Sequence, residues 1–201
     1  LRYKPFKHIN VGVIRGTYAD TDGNMTMEKE AAFLEALAMA EAVKNTGGIV
    51  IAQVEDIVDK GTLNPKDVKV PGILVDYIVK GTPENSWQTY LDPYKPEFSG
   101  QIKKPLDALA PMPLNARKVI SRRAAMELSP NAIVNLGIGI PEGIANVANE
   151  EGIEGLKMTV EAGNIGGVPA SGVGFGACTN PDCTIDSPAM FDFYDGGGLD
   201  Q

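Results

Sequence analysis

The stretch from Asn135 to Gly167 holds the residues whose types and spacing are best suited to chemistry. An apolar segment enters a turn with glycines at 137, 139 and 143 and a proline at 141, and a short helical run follows. The next apolar segment ends at Glu161, which precedes Ala-Gly-Asn-Ile-Gly-Gly. A carboxylate at the end of a strand can act as a covalent nucleophile, or it can hold a ribose, a salt bridge or a cap.

The glycine turn loosely fits a dinucleotide-binding fingerprint. Gly137, Gly139 and Gly143 lie at a strand-to-helix turn, and the acid Glu161 follows at about the expected 20-residue spacing. Pro141 counts against this, because it removes an N–H that a pyrophosphate site would use. The glycines after Glu161 let a ligand approach closely, and their N–H groups can stabilise an oxyanion. The pattern alone leaves an NAD(P)-binding module, a catalytic glutamate and a structural glutamate open.

Composition restricts the classes of partner. The chain has 201 residues, of which 43% are hydrophobic, so it can bury a sizeable core. Its net charge of −8 argues against nucleic-acid binding and against anionic membrane surfaces, which both need a basic face. No run of 18 apolar residues occurs, so we expect no membrane span. A small anionic ligand stays compatible, since it needs only a local nest of N–H groups.

The cysteines and the single histidine predict neither a disulfide framework nor a metal site. Cys178 and Cys183 do not form a Cys-x-x-Cys pair, and we expect two free thiols in a reducing, cytoplasmic setting. His8 stands alone, which gives no catalytic triad and no metal ligand set. The chain opens at Leu1 and stops shortly after three glycines, so we expect both ends to be cuts through a longer protein.

Hydrophobic periodicity predicts two α/β domains. Strands are expected over 9–14, 49–55, 73–79 and 132–136, with a further strand ending at Glu161; helices are expected over 28–45, 115–129 and 141–149, and a short one from Asn64-Pro65. Residues 81–114 contain six of the 14 prolines and no periodic pattern. We therefore predict a first domain over 1–82, a Pro-rich linker over 83–114 and a second domain over 115–201.

Basic residues are frequent on the helix predicted over 115–129. They are Arg117, Lys118, Arg122 and Arg123. A solvated polar face is the favoured interpretation, and a phosphate-binding patch is the alternative.

Several motifs together resemble the family I CoA-transferases. In the second half these are Val134-Asn-Leu-Gly-Ile-Gly-Ile-Pro141 and Val160-Glu161-Ala-Gly163, and further on the run Phe191–Gly198. In the first half they are Gly16-Thr-Tyr-Ala-Asp20 with Gly23-Asn24, then 43–55 and 70–76. The closest likeness is to the single-chain acetate/propionate and 3-oxoacid type.

The resemblance implies a fold, a reaction and a site. The fold is two similar open α/β domains with mainly parallel sheets, both incomplete here. The implied reaction transfers CoA from an acyl-CoA to a short-chain carboxylate by ping-pong chemistry, through a glutamyl-CoA thioester on Glu161. Coenzyme A is then a substrate, and no cofactor or metal is implied. The Val-Glu-Ala-Gly sequence at the glutamate is closer to the propionate type than to the 3-oxoacid type.

The resemblance also implies roles for the glycines on either side of Glu161 in the sequence. Gly137, Gly139 and Pro141 match the family's turn beside the active site, and the second glycine cluster comprises Gly163, Gly166 and Gly167. We expect these clusters to supply substrate contacts and oxyanion donors. The implied partners are acyl-CoA and short-chain carboxylates, in a homo-oligomer. A non-catalytic CoA-binding fragment is the alternative outside the enzymes.

Overall fold

The computed structural model describes residues 4–193, in two compact units. The first unit comprises the described residues up to Glu30 together with Glu35–Trp87, and the second comprises Ala31–Leu34 and the described residues from Gln88 onward. The end of the run Phe191–Gly198, from residue 194, lies outside the described residues.

The first unit is built on a strand–helix–strand repeat. Its elements are β1 (Val11–Arg15), β2 (Tyr18–Asp20), β3 (Met25–Thr26), α1 (Ala36–Asn45), β4 (Ile49–Val54), β5 (Asp56–Val58), β6 (Val68–Val70) and β7 (Tyr77–Lys80), with 3₁₀ turns at Gly72–Leu74 and Pro83–Asn85. Strands β1, β4 and β7 form a parallel sheet in that order. A second sheet has the order β5-β2-β3-β6, in which only β2 and β5 are parallel.

Helix α1 packs closely on this parallel sheet. Its buried residues are Ala36, Ala40 and Val43. A Cβ at Gly12 of β1 would lie 2.6 Å from Cγ2 of Val43, so glycine is the residue that allows this approach.

The predicted helix over 28–45 is wrong in its first half, since α1 begins at Ala36. Leu34 has a φ of 51°, which interrupts a right-handed helix. Ala31 instead packs with Phe98 and Ala177 in the second unit, and the carbonyl of Leu34 accepts from the N–H of Ser187. Tertiary contacts therefore override the helical pattern of this segment.

Two other predictions for the first unit need correction. Asn64-Pro65 begins a turn and not a helix, because the Asn64 side chain accepts from the N–H of Lys66. The strand expected over 73–79 begins only at Tyr77.

The second unit contains the Asn135–Gly167 stretch. Its elements are α2 (Ala116–Ala125), β8 (Ile133–Asn135), α3 (Gly143–Glu150), β9 (Lys157–Thr159), β10 (Asn164–Ile165), β11 (Val168–Pro169), β12 (Cys178–Thr179), β13 (Cys183–Thr184) and α4 (Ser187–Phe193), with 3₁₀ turns at Leu106–Ala108 and Gly172–Gly174. The main sheet has the order β13-β10-β9-β8, and β8 and β9 are parallel. The core cluster comprises Leu136, Ala145, Ala148, Met158 and Val168.

The predicted fold class is confirmed, because each unit carries a β-α-β repeat with parallel strands and most paired residues belong to parallel ladders. The strand before Glu161 ends at Thr159, so Glu161 lies in the following turn. The predicted loop over 171–186 contains the short strands β12 and β13.

Residues 88–114 belong to the second unit. Phe98 is buried there, and Glu97 accepts from the N–H of Asn180 through its carbonyl. The Asn180 side chain also contacts the backbone of Lys104 on both its N–H and its carbonyl. The function of 83–114 as an interdomain linker stays a prediction.

Candidate active site

Glu161 lies at the tip of a β-hairpin formed by β9 and β10. The N–H of Gly163 donates to the carbonyl of Val160 (3.0 Å), and the N–H of Val160 donates to the carbonyl of Asn164 (3.2 Å). These bonds leave Glu161 and Ala162 as the central residues of the turn. Gly163 has a φ of +116°, a conformation that side-chain-bearing residues rarely adopt. The hairpin therefore fixes the backbone of the glutamate and leaves its side chain half-buried.

The Glu161 carboxylate has no fixed partner in the part of the chain that the structure describes. Neither a hydrogen bond nor an ion pair reaches it between residues 4 and 193. Two other glutamates of this unit differ: Glu142, which precedes α3, and Glu150, at the end of α3, are each bound to a cation of α2. An unpaired carboxylate at a turn keeps its oxygen lone pairs available for an incoming group.

Close packing leaves no room for a side chain at the three glycines of the second cluster. A Cβ at Gly163 would collide with the carbonyl oxygen of Ile185, and one at Gly167 with that of Thr179. A Cβ at Gly166 would collide with the Asp182 carboxylate. All three glycines have positive φ, so their positions beside Glu161 reflect the path of the chain as well as any ligand.

The N–H groups of two of these glycines already donate hydrogen bonds to backbone carbonyls. Gly163 donates to Val160, and Gly166 donates to the carbonyl of Met158 (2.8 Å). This arrangement argues against the expectation that either N–H serves as an oxyanion donor. Gly167 instead lines a cleft of about 440 Å³ that Leu106 and Ala145 also line.

The first glycine cluster lies beside Glu161 at the carboxyl ends of β8 and β9. The parallel register pairs Asn135 with Thr159, and the N–H of Leu136 donates to the carbonyl of Thr159 (3.1 Å). Gly137 follows Leu136 directly, and Glu161 follows Thr159 by two residues, so both come after the carboxyl ends of these parallel strands. Ligands of α/β sheets characteristically bind at this edge of parallel strands.

The turn at this edge is open. A Cβ at Gly137 or Gly139 would meet no atom within 4 Å. Gly139 has a φ of +96°, whereas Gly137 has an ordinary backbone conformation. Pro141 is exposed, and its carbonyl accepts from Ile144 in the first turn of α3. The turn at Gly137 thus has open space, and among residues 4–193 the carboxylate of Glu161 has no partner.

Glu142 and Arg117 are site residues that the sequence analysis missed. The Glu142 side chain is only 4% exposed and accepts hydrogen bonds from the N–H groups of Gly139 (3.3 Å) and Gly172 (3.0 Å). Arg117 Nη2 lies 3.3 Å from Glu142 Oε1 and donates to the carbonyl of Gly139 (2.7 Å). An acid directly after the proline of the glycine turn was the available sequence signal.

A buried carboxylate at this position disfavours the dinucleotide-binding alternative. In that fold the pyrophosphate binds at the N-terminus of the helix after the glycine turn. Here Glu142 directly precedes α3, and its carboxylate already accepts a hydrogen bond from the N–H of Gly139 in that turn. A bound pyrophosphate would add further negative charge next to it.

The side chain of Asn164 holds the β9–β10 hairpin in place. Its side chain is fully buried, with Nδ2 donating to the carbonyl of Gly176 (2.7 Å) and Oδ1 accepting from Thr184 (2.9 Å). Both polar ends of the amide are therefore satisfied, as burial requires. The sequence analysis treated this residue only as part of the glycine-rich run.

The basic residues of α2 do not form an open phosphate patch. Arg117 contacts Glu142, Lys118 contacts Glu150, Arg122 contacts Glu151 and Arg123 contacts Glu127. Each cation has an acidic partner, which supports the interpretation of a polar face.

Residues 4–193 contain neither a metal-binding cluster of side chains nor a helix that could span a membrane. No three His, Cys, Asp or Glu side chains are grouped in a way that could hold a metal ion. None of the helices in this range has the length and apolar character needed to cross a bilayer.

The fold and the site define an α/β protein with a glutamate at the carboxyl edge of parallel strands, next to a glycine turn. Residues 5–81 match the family model for coenzyme A transferases. The whole chain is 53% identical over 202 residues to the caffeate CoA-transferase of Acetobacterium woodii, of which it spans 38%. It is 43% identical over 192 residues to the acetate CoA-transferase YdiF of Escherichia coli O157:H7; that match covers 95% of this chain and 36% of YdiF.

Solved structures agree with these sequence matches. The crystal structure of the acyl-CoA transferase YdiF apoenzyme from Escherichia coli O157:H7 superposes with a TM-score of 0.80 at 42% identity, covering 94% of this chain and 35% of that one. A thioester complex of the same protein with CoA gives a TM-score of 0.79 at 41% identity, covering 94% of this chain and 36% of that one. The chain is therefore similar to coenzyme A transferases over nearly its whole length, and residues 5–81 carry the match to the family model.

Proposed function

We propose that the protein transfers CoA from an acyl-CoA to a short-chain carboxylate of the acetate, propionate or 3-oxoacid type. The observation that carries this proposal is the Glu161 carboxylate, which has no partner among residues 4–193 and follows the same sheet edge as the open turn at Gly137. The names of the matched relatives support the reaction class, and the thioester complex of YdiF with CoA supports a covalent route.

In the first half-reaction Glu161 acts as the nucleophile. A carboxylate oxygen attacks the thioester carbonyl of the acyl-CoA, a C–O bond forms, and the C–S bond breaks to release CoA thiolate. The product on the enzyme is a mixed anhydride. The thiolate then attacks the glutamyl carbonyl, which leaves a glutamyl-CoA thioester and frees the donor acid as its carboxylate.

In the second half-reaction the acceptor carboxylate reverses these steps. It attacks the glutamyl thioester carbonyl and expels CoA thiolate, which gives a second mixed anhydride. Thiolate attack on the acyl carbon of that anhydride yields the new acyl-CoA and the free Glu161 carboxylate. Charge and electrons balance at each step without a redox partner, so coenzyme A enters as a substrate and no cofactor is invoked.

Each addition step creates an oxyanion that needs a hydrogen-bond donor. Gly137 is the candidate that we favour among the predicted glycines, because its N–H has no acceptor among residues 4–193 and it directly follows Leu136, whose N–H donates to Thr159 at the end of β9. Gly139, Gly163 and Gly166 already donate to protein acceptors. A homo-oligomeric assembly stays an expectation of this proposal.

Replacement of the glutamate tests the function. In the full-length protein, Glu161→Ala should reduce CoA exchange between acyl-CoA and acetate by about 10⁴-fold or more, the scale for loss of a covalent nucleophile. Glu127→Ala is the control, since it removes another glutamate of the same unit that is 69% exposed.

Circular dichroism should show that both variants are folded. Turnover retained by Glu161→Ala would contradict the proposal. Wild-type protein that binds CoA without any exchange would instead favour the non-catalytic CoA-binding alternative.

A further inference from the structure

Glu142 has contacts that a helix-capping residue does not need. It directly precedes α3, but its side chain makes no capping hydrogen bond to the first turn of that helix. The carboxylate turns back and accepts from Gly139 of the glycine turn and from Gly172 of the 3₁₀ turn Gly172–Gly174. A carboxylate that is 4% exposed requires such donors, because burying an unpaired charge is strongly unfavourable.

Arg117 completes a closed arrangement around the turn. A single guanidinium nitrogen, Nη2, donates to the Gly139 carbonyl and lies 3.3 Å from Glu142 Oε1. Both the N–H and the carbonyl of Gly139 are therefore bound, the first by Glu142 and the second by Arg117. These bonds hold Gly139 in the left-handed conformation, with φ of +96°, that its turn requires.

We propose that Glu142 is a positioning residue for the acyl-transfer site, acting with Arg117 through Gly139. This inference rests on the proposed function of Glu161. Glu142 fixes the turn of residues 137–141, and that turn brings the free N–H of Gly137 to the sheet edge where Glu161 reacts. Loss of the carboxylate leaves Glu161 intact and displaces the backbone donor that its oxyanion needs.

The substitution Glu142→Gln separates positioning from folding. An amide keeps the shape of the side chain but directs N–H groups towards the N–H of Gly139 or of Gly172. Glu150→Gln is the matched control, because the Glu150 side chain is likewise little exposed, at 15%, and pairs with a cation of α2, Lys118. Its second contact, with the N–H of Met112, is not part of the glycine turn.

The readout is the single-turnover rate of glutamyl-CoA thioester formation in the full-length protein, with the melting temperature measured alongside. We expect Glu142→Gln to slow thioester formation by about tenfold to a hundredfold, the scale of a small misplacement of catalytic groups. The KM for acyl-CoA should change by less than about threefold, since the substitution weakens stabilisation of the transition state more than binding of the substrate. Glu150→Gln should lower the melting temperature but keep the rate within about twofold of the wild-type rate, because its contacts are remote from the turn.

A second pair of variants covers the case in which Glu142→Gln does not fold. Arg117 is 52% exposed, so Arg117→Lys should fold, and the lysine side chain, which is one bond shorter, does not bring its ammonium to the position that Nη2 occupies at Gly139 and Glu142. We expect thioester formation to be slower in Arg117→Lys. The control Arg122→Lys, whose residue 122 pairs with Glu151, should keep the wild-type rate.

The outcomes separate the two proposals. If wild-type protein forms the thioester and the folded variants of Glu142 and Arg117 form it at the wild-type rate, the positioning role is overturned and the function stands. If wild-type protein forms no thioester on Glu161, both are overturned.

Discussion

Two glutamates at the edge formed by β8 and β9 have opposite environments. Glu142 is buried and accepts from two backbone N–H groups and a guanidinium, so its oxygens are fully used. Glu161 is half-buried and has no partner among residues 4–193. The first arrangement suits a residue that holds structure, and the second suits a residue that reacts.

The two cysteines predict a simple chemical difference. Burial, together with the nearby charge of Asp182, raises the pKa of the Cys178 thiol to about 12, whereas Cys183 is exposed. At pH 8 Cys178 is therefore protonated and unreactive, because the thiolate is the nucleophilic form. We expect iodoacetamide to label Cys183 and to leave Cys178 unlabelled in the native protein, as peptide mass spectrometry can determine.

Unfolding provides the control for this labelling. In denaturant both cysteines should react, because burial no longer protects Cys178. Equal labelling of the two residues under native conditions would contradict the packing described for β12.

At the scale of elements, the β9–β10 hairpin and the β8–α3 turn use glycine for different reasons. Gly163 has positive φ and directly faces the backbone of Ile185. Gly137 has an ordinary conformation and open space around it. Glycine in the hairpin therefore serves folding, and glycine in the turn leaves room at the site.

Alanine substitutions test this difference. Gly163→Ala should destabilise the protein by about 2–4 kcal/mol, since strain at positive φ adds to a collision with the Ile185 carbonyl. Gly137→Ala should change stability by less than about 0.5 kcal/mol, because its Cβ meets no atom. The same Cβ narrows the edge beside Glu161, so we expect CoA exchange to fall by about tenfold or more.

Chemical denaturation and steady-state exchange assays on the full-length protein measure both effects. A fully active Gly137→Ala would argue against a substrate at this edge. A Gly163→Ala variant of wild-type stability would argue against the hairpin geometry.

Sequence predicted the elements whose hydrophobic pattern is local. The continuous apolar segments at β1, β4 and β8 and the periodic segment of α1 are each found close to their expected positions. The segment 28–35 has the same helical periodicity but is not helical, because Ala31 packs with Phe98 and Ala177, which are distant in sequence. Such long-range contacts leave no periodic signal.

The same limit applies to the site. The glycine turn and Glu161 carry a recognisable local motif, so their proximity could be predicted. Arg117 and Gly172 contact Glu142 from positions 25 and 30 residues away along the chain. Only the fold brings these residues together, and the sequence pattern contained no indication of that network.

At the scale of the whole molecule, the chain spans 38% of the caffeate CoA-transferase and 36% of YdiF that it matches. Each of its two units contains one β-α-β repeat with parallel strands, β1–α1–β4 in the first and β8–α3–β9 in the second. The candidate nucleophile and its glycine turn both lie in the second unit. The proposed reaction is therefore tested on the full-length protein.

Chemical trapping of the covalent intermediate tests whether Glu161 is the nucleophile. Full-length protein is incubated with acetyl-CoA, treated with borohydride to reduce any glutamyl thioester, digested and mapped by mass spectrometry. We predict that the reduced residue is Glu161, and that the modification is lost when acetate in excess is added before borohydride. An active enzyme in which Glu161 stays unmodified, or in which another residue carries the reduction, would contradict the central claim.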